Sequence, residues 1–288
     1  MKCVLCPRRC GADRAKGERG YCGAPALPVA ARAARHDWEE PCISGKRGSG
    51  AVFFSGCNLG CVYCQNREIS RTITGKPLDV AALRELFRRL RDSGVHNLNL
   101  VTPTPYTEVL AEALEQPPGI PVVWNTGGYE SVETLRMLEG KVDVYLPDMK
   151  YVSAALAGRL SAAPDYFAAA DAAIREMYRQ TGPYLLDGEG LLTRGVLVRH
   201  LVLPGELGNT KDVLEWFADT FKRGRALLSL MAQYTPNGFG GPDRRLRAEE
   251  YQEVTDYLYM LGIRDGFVQE LSAAAGEFVP AFDGTGLT

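Results

Sequence analysis

Eight cysteines carry most of the chemistry legible in this 288-residue chain, and they are unevenly placed. Cys57, Cys61 and Cys64 form a Cys-x3-Cys-x2-Cys run, with Gly56 and Gly60 beside them to let the backbone turn tightly. Three thiolates at this spacing can wrap one face of an iron–sulfur cube. A structural zinc site wants a fourth protein ligand nearby, and so do four-cysteine ferredoxin patterns. Three thiolates on four irons leave one iron open to a substrate or cofactor, which separates a catalytic cluster from an electron carrier. The plainer alternative is three buried free thiols in a core loop. Cys3, Cys6, Cys10 and Cys22 offer a second set, in a stretch with no apolar pattern. Four thiolates suit a closed Zn2+ site that supplies folding energy, or an auxiliary iron–sulfur cluster, with zinc the preferred reading. Cys42, after Pro41, reads as a small buried apolar residue. No cysteine follows Cys64. A secreted disulfide scaffold spreads its bridges along the chain, so this clustering points to metal ligation in a reducing cytosol.

Elements must position these thiols. Residues 1–47, rich in Cys, Gly, Pro and Arg, read as a Cys-rich metal-binding module held by something other than a core. Residues 48–288 alternate short apolar runs with helical patterns. Strands are expected at 51–54, 97–101, 121–124, 142–146, 196–203 and 226–231. Helices are expected at 80–91, 106–115, 131–138, 164–179, 210–223 and 248–261. Six β-then-α units mean parallel pairing through right-handed crossovers, in a barrel, partial or complete, or a doubly wound sheet. Either way ligands gather at the C-terminal ends of the strands. The residues there are polar or Gly/Pro-rich: Ser55-Gly56-Cys57, Thr102-Pro103-Thr104, Asn125-Thr126-Gly127-Gly128, Pro147-Asp148-Met149-Lys150, Pro204-Gly205 and Gln233-Tyr234. Asp148 and Lys150, two apart after a strand, can point to one side of the barrel mouth; the alternative is a surface ion pair. Asn125 and Thr126 belong to a ligand loop or only a turn. His200 sits inside an apolar strand, as a satisfied core histidine or as a ligand. His36 and Glu39-Glu40 could belong to the substrate side.

Composition narrows the function. Hydrophobic residues make up 45% and charged residues 24%, values of an ordinary globular chain and not of a disordered or fibrous one. The net charge of -2 argues against a general nucleic-acid binder. Residues 1–47 carry ten Lys/Arg against five Asp/Glu, leaving the remainder near -7. That surplus is a solvated basic surface or a patch that meets an acidic partner. No signal peptide is legible, and no apolar run approaches the ~18 residues of a membrane helix. A cytoplasmic protein is expected, with no membrane or nucleic-acid partner.

The Cys-x3-Cys-x-Tyr-Cys run after a first strand resembles the signature of the radical S-adenosylmethionine (SAM) superfamily. More closely, the chain resembles an uncharacterised branch of the pyruvate formate-lyase activating enzyme family. Residues 39–45, 53–66, 96–106, 124–130, 143–151 and 199–205 carry that likeness. The resemblance implies a partial (β/α)6 barrel of the radical SAM type. It implies a [4Fe–4S] cluster on Cys57, Cys61 and Cys64, with SAM chelating the open iron and its adenine near Tyr63. The loop that usually reads Gly-Gly-Glu and meets the SAM amino group here reads Thr102-Pro103-Thr104, a departure that keeps acceptors but loses a charge. Asn125 and Thr126 match a polar pair at a strand end. Asp148 and Lys150 match an Asp-x-Lys motif, and His200 matches a histidine near the SAM ribose. The implied reaction is reductive cleavage of SAM to a 5′-deoxyadenosyl radical, which takes a hydrogen atom. The activating-enzyme likeness points to a glycyl residue of a partner polypeptide as its source, and to a reduced flavodoxin- or ferredoxin-like electron donor. The alternatives are a small-molecule substrate or a non-catalytic iron–sulfur or zinc protein.

Overall fold

The computed structural model describes residues 2–273 and 280–287. Residues 2–28 hold no strand or α-helix, only a 3-10 turn at Arg14–Lys16. β1 (Val29–His36) and a short α1 (Pro41–Ser44) lead into β2 (Ser49–Phe54). There follow α2 (Arg67–Arg71), the two-residue β3 (Lys76–Pro77), α3 (Val80–Asp92), β4 (Leu98–Val101), α4 (Thr107–Ala113) and β5 (Val122–Thr126). Then come α5 (Val132–Arg136), β6 (Val144–Pro147), α6 (Ala154–Ser161), α7 (Tyr166–Thr181) and β7 (Leu185–Leu186). β8 (Leu192–Leu201), α8 (Leu207–Thr220), β9 (Leu227–Met231), α9 (Ala248–Met260) and β10 (Gly266–Val268) complete the order.

The strands lie in the order β10-β9-β8-β6-β5-β4-β2-β1-β3, with β7 on the edge of β8. β2, β4, β5, β6, β8 and β9 pair in parallel, each with its neighbour in this series. Strands laid down in sequence order through right-handed crossovers keep all their helices on one face. A doubly wound sheet would instead reverse its strand order part-way. β3 and β10 end the path on opposite sides, so the sheet is an open α/β partial barrel. β10 extends it with one more parallel strand.

The boundary expected at residue 47 does not coincide with a structural one. β1 pairs antiparallel with β2 along its length, so residues 29–36 belong to the sheet. Its sequence, Val-Ala-Ala-Arg-Ala-Ala-Arg-His, is half alanine and lacks the β-branched alternation that marks a strand. Likewise, the helix expected at 164–179 is preceded by α6, which the pattern does not mark. α6 ends at Ala162, whose left-handed φ of 50° breaks it from α7.

Two apolar layers hold the sheet. On the outer face the helices bury one stripe each. α3 shows how: Asp79 caps it by accepting from the Ala82 N–H at 2.8 Å, and Leu83, Leu86, Phe87 and Leu90 are buried at helical spacing. Each such side chain stabilises the fold by about 1.5–3 kcal/mol. On the inner face Val123, Val144, Leu146, Leu197 and Leu227 pack around Cys42 and Ile43 of α1. α1 therefore fills the inside of the barrel, and Cys42 is a buried apolar contact, as expected. One inward step further along β5 and β8 the residues turn polar, at Asn125 and Arg199.

Candidate active site

A cleft of about 230 Å3 opens at the C-terminal ends of the parallel strands. Cys57, Cys61 and Cys64 line it together. The loop bearing them leaves β2 through Ser55 and Gly56. Gly56 has φ +88°, and a Cβ there would lie 2.8 Å from the Cys22 carbonyl oxygen, so only glycine fits. Each of the three sulfurs receives one hydrogen-bond donor. The Leu59 N–H donates to Cys57 at 3.4 Å, the Ser161 hydroxyl to Cys61 at 2.9 Å, and the Ser70 hydroxyl to Cys64 at 3.5 Å. Burial, with Cys61 and Cys64 alongside, pushes the Cys57 thiol up to about 12, and burial also raises Cys61. Thiols raised in this way are poor nucleophiles and become thiolates only when a metal takes the proton's place.

The same cleft is lined by Tyr63, Thr102, Thr104, Asn125, Thr126, Asp148 and Lys150. Asp148 binds Lys150 at 2.5 Å and Arg199 at 3.0 Å. Burial alone would raise the Asp148 carboxyl, but the two cations hold it below the usual carboxylate range. Lys150 is raised well above its ordinary value, because Asp148 outweighs its burial. Thr102 adopts a left-handed φ of 57°, a strained backbone for a β-branched residue. The Thr104 hydroxyl donates to Glu130 at 2.6 Å.

His200 does not join them. β8 alternates its side chains, so Arg199 and Leu201 face the cleft and His200 faces the helices. Its ring nitrogens meet the Met149 carbonyl at 2.7 Å and the Thr210 hydroxyl at 3.0 Å. Burial lowers its pKa to about 4, so it is a neutral core histidine.

The structure adds residues that pattern reading left unassigned. Arg199 ties the floor of the cleft: besides Asp148, it reaches Glu39 at 3.3 Å and donates to Asn125 Oδ1 at 2.6 Å. Glu39 also accepts from Asn99 and Asn125, each at 3.1 Å. Glu130 is buried behind Thr104 and also accepts from Trp124 Nε1 at 3.0 Å, while its Oε2 has no partner. Arg199 and Glu130 lie inside the segments of family likeness, so their neighbourhood was flagged but not their roles.

The four N-terminal cysteines converge elsewhere. Cys3, Cys6, Cys10 and Cys22 line one small cavity of about 20 Å3, together with Arg8, Arg14 and Tyr21. Burial pushes the Cys6 thiol up to about 11 and raises Cys22. Among the described residues, no group of three or more His, Cys, Asp or Glu side chains stands ready, as placed, to hold a metal ion. Asn58 and Thr104 line both this cavity and the main cleft, so the two sites are adjacent.

The sequence matches the radical SAM superfamily over residues 51–217, more than half of the chain. This chain belongs to the radical SAM superfamily. It is 29% identical over 269 residues to an uncharacterized protein, MJ0674, of Methanocaldococcus jannaschii, covering 88% of this chain and 73% of that one. Among solved structures it resembles Streptococcus suis SuiB bound to S-adenosylmethionine, with a TM-score of 0.53 and 14% identity over 78% of this chain and 51% of SuiB. It also resembles anSMEcpe with bound AdoMet and the Kp18Cys peptide, with a TM-score of 0.50 and 14% identity over 79% of this chain and 62% of that one. The chain thus spans about half the length of SuiB, and at these identities the likeness is one of fold. Among the described residues of this radical SAM protein, no helix is long and apolar enough to cross a membrane.

Proposed function

We propose that this radical SAM protein is an enzyme whose Cys57, Cys61 and Cys64 hold a [4Fe–4S] cluster and whose strand-end residues bind SAM. The observation that carries the reading is the shared cleft: three thiols, a buried ion pair and a row of strand-end hydroxyls face one space. The donor set fits a cluster, because each sulfur is met by a hydrogen-bond donor, as a thiolate requires. A cluster also spreads its ligands over several irons, so its cysteines need not be gathered as tightly as those of a single ion. When bound, the cluster and SAM together supply a one-electron cleavage that yields a 5′-deoxyadenosyl radical.

The chain's own residues hold and orient the cofactor. Lys150 is placed for the SAM carboxylate, and Asp148 for a hydroxyl or cation once SAM competes for its partners. Thr104 gives its proton to Glu130 and accepts from Thr126, so one lone pair is left to accept from the SAM ammonium. Glu130, whose carboxyl burial raises above its ordinary range, orients that hydroxyl from behind. Thr102, Asn125 and Thr126 complete the polar wall, and Tyr63 lies beside the cluster loop. His200 acts at a distance, holding the Met149 carbonyl between Asp148 and Lys150.

For the substrate we favour a glycyl residue of a partner polypeptide, supported by the activating-enzyme likeness of the motifs. The peptide-bound structure of anSMEcpe shows that a protein of this fold can hold a peptide. A small molecule is the alternative. The basic N-terminal segment would dock an acidic partner or a reduced flavodoxin- or ferredoxin-like donor. Cys3, Cys6, Cys10 and Cys22 are read as a zinc site, because four thiols line one small cavity; they are not gathered around a single point, so an ion would have to draw them together. Anaerobic reconstitution, reduction with dithionite and assay for 5′-deoxyadenosine test the enzyme; cleavage no greater than in Cys57→Ala would refute it. Deuterium transfer from a labelled candidate protein into 5′-deoxyadenosine tests the substrate class.

A further inference from the structure

A chain of hydrogen bonds leads through the buried wall to one of the three cleft sulfurs. The Ser161 hydroxyl, at the end of α6, donates to Cys61 Sγ at 2.9 Å. Tyr151 lies 2.8 Å from Ser161, and Tyr63 lies 2.6 Å from Tyr151. All three side chains are buried. A serine has one proton, and here it points to sulfur. Ser161 therefore accepts from Tyr151, and Tyr151, its proton used, accepts from Tyr63. All three O–H dipoles point the same way, toward the sulfur.

The chain is also held in place from outside. The Ser161 carbonyl accepts from the Gly60 N–H at 3.2 Å and from Arg8 at 3.3 Å. The Leu160 carbonyl accepts from the Val62 N–H at 2.9 Å. The end of α6 is thus clamped to the loop between Cys57 and Cys64, and the left-handed Ala162 lets the helix stop there. Tyr151 is packed edge-on against Tyr166 at 5.4 Å, so its ring is fixed without its hydroxyl.

We propose that Ser161, polarised by Tyr151 and Tyr63, is a positioning residue that tunes how readily a cluster on Cys61 accepts an electron. A donor aimed at a ligating thiolate favours the more negative, reduced state, and hydrogen bonds to sulfur are among the levers that set iron–sulfur potentials. Aligned hydrogen bonds strengthen one another in a low-dielectric wall, so the two tyrosines add to the effect of the serine. Neither Leu59, whose donor is a backbone N–H, nor Ser70, at 3.5 Å from Cys64, sits at the end of such a chain.

The inference rests on the reading that Cys61 ligates the cluster, and its test separates the two. The full-length wild type, Ser161→Ala and Tyr151→Phe are reconstituted anaerobically, assayed for iron, and titrated reductively with mediators while the reduced cluster is followed by electron paramagnetic resonance. In Ser161→Ala the ratio of reduced to oxidised cluster at the wild-type midpoint should fall about tenfold, which is about 59 mV for a one-electron couple. Tyr151→Phe should move the midpoint in the same direction by less. A wild type without a cluster defeats the reading of the site itself. A cluster that titrates at the wild-type midpoint in both variants overturns the inference and leaves that reading intact. If Ser161→Ala loses its cluster, Tyr151→Phe decides, and an unmoved midpoint there overturns the inference.

Discussion

The two cysteine groups of this chain are neighbours in space and opposites in setting. Cys57, Cys61 and Cys64 face an open cleft of about 230 Å3, beside a buried ion pair and the ends of six parallel strands. Cys3, Cys6, Cys10 and Cys22 surround about 20 Å3 and are carried by a segment without strand or α-helix up to residue 28. The first group has a barrel to hold it and room for a small molecule. The second is carried by a segment with no strand or α-helix of its own and faces far less room. The number of thiols therefore says less about their use than the space they face. Three ligands leave a coordination position for chemistry, whereas four complete a tetrahedral site.

Replacing one cysteine in each group tests this difference most strongly. Cys57→Ala should reduce 5′-deoxyadenosine formation to background while thermal unfolding stays close to wild type. If it unfolds the chain as badly as a Cys22 substitution does, the contrast between the groups is broken. Next in size is Asp148→Asn, which leaves Lys150 and Arg199 without their shared carboxylate. Losing one partner of a buried charge pair costs about 3–5 kcal/mol, to be read from urea denaturation.

Acid should then separate the barrel from the N-terminal segment. His200 titrates near 4 in the folded state against 6.5 unfolded, because of its burial. Between these values the unfolded chain binds a proton that the folded chain refuses. Stability is complete above pH 6.5 and falls as pH drops towards 4, by about 3 kcal/mol. His200→Gln should remove that part of the slope in denaturation curves measured across this range; an unchanged slope would reassign the titration to another group. Chelation by a zinc-selective agent should lower stability by more than the roughly 1 kcal/mol of an average substitution, with iron content unchanged. Iron beyond the four atoms of one cluster, with no zinc, would identify the N-terminal site as a second cluster. The smallest effect is expected from Arg8→Ala. Arg8 donates to Asn58 O at 3.0 Å and lies 4.0 Å from the Tyr21 ring centroid. Removing these contacts should cost about 1 kcal/mol in thermal or urea unfolding.

Much of this was legible from residue order. The six β-then-α units, the α3 stripe and the polar strand ends all follow local periodicity, and the structure keeps them within a few residues. β1 was not legible, because an alanine-rich strand gains its stability from pairing with β2 rather than from its own side chains. The spacing of Asp148 and Lys150 points both to one side, and both line the cleft, whereas no local pattern marks Arg199 beside His200. Periodicity marks which two faces a strand has, but which of them turns inward depends on how its neighbours pack.

Residue order carries the alternation of elements, hence the parallel winding, and the Cys-x3-Cys-x2-Cys spacing that brings three thiols to one loop. Those properties depend on residues close together in the chain. Long-range packing is what joins Glu39, Asn125, Asp148 and Arg199 in one network, sets Glu130 behind Thr104, and points Ser161 at Cys61 across 100 positions. Such contacts join separate strands and helices through the curvature of the sheet, and no local pattern specifies where that curvature brings two side chains together.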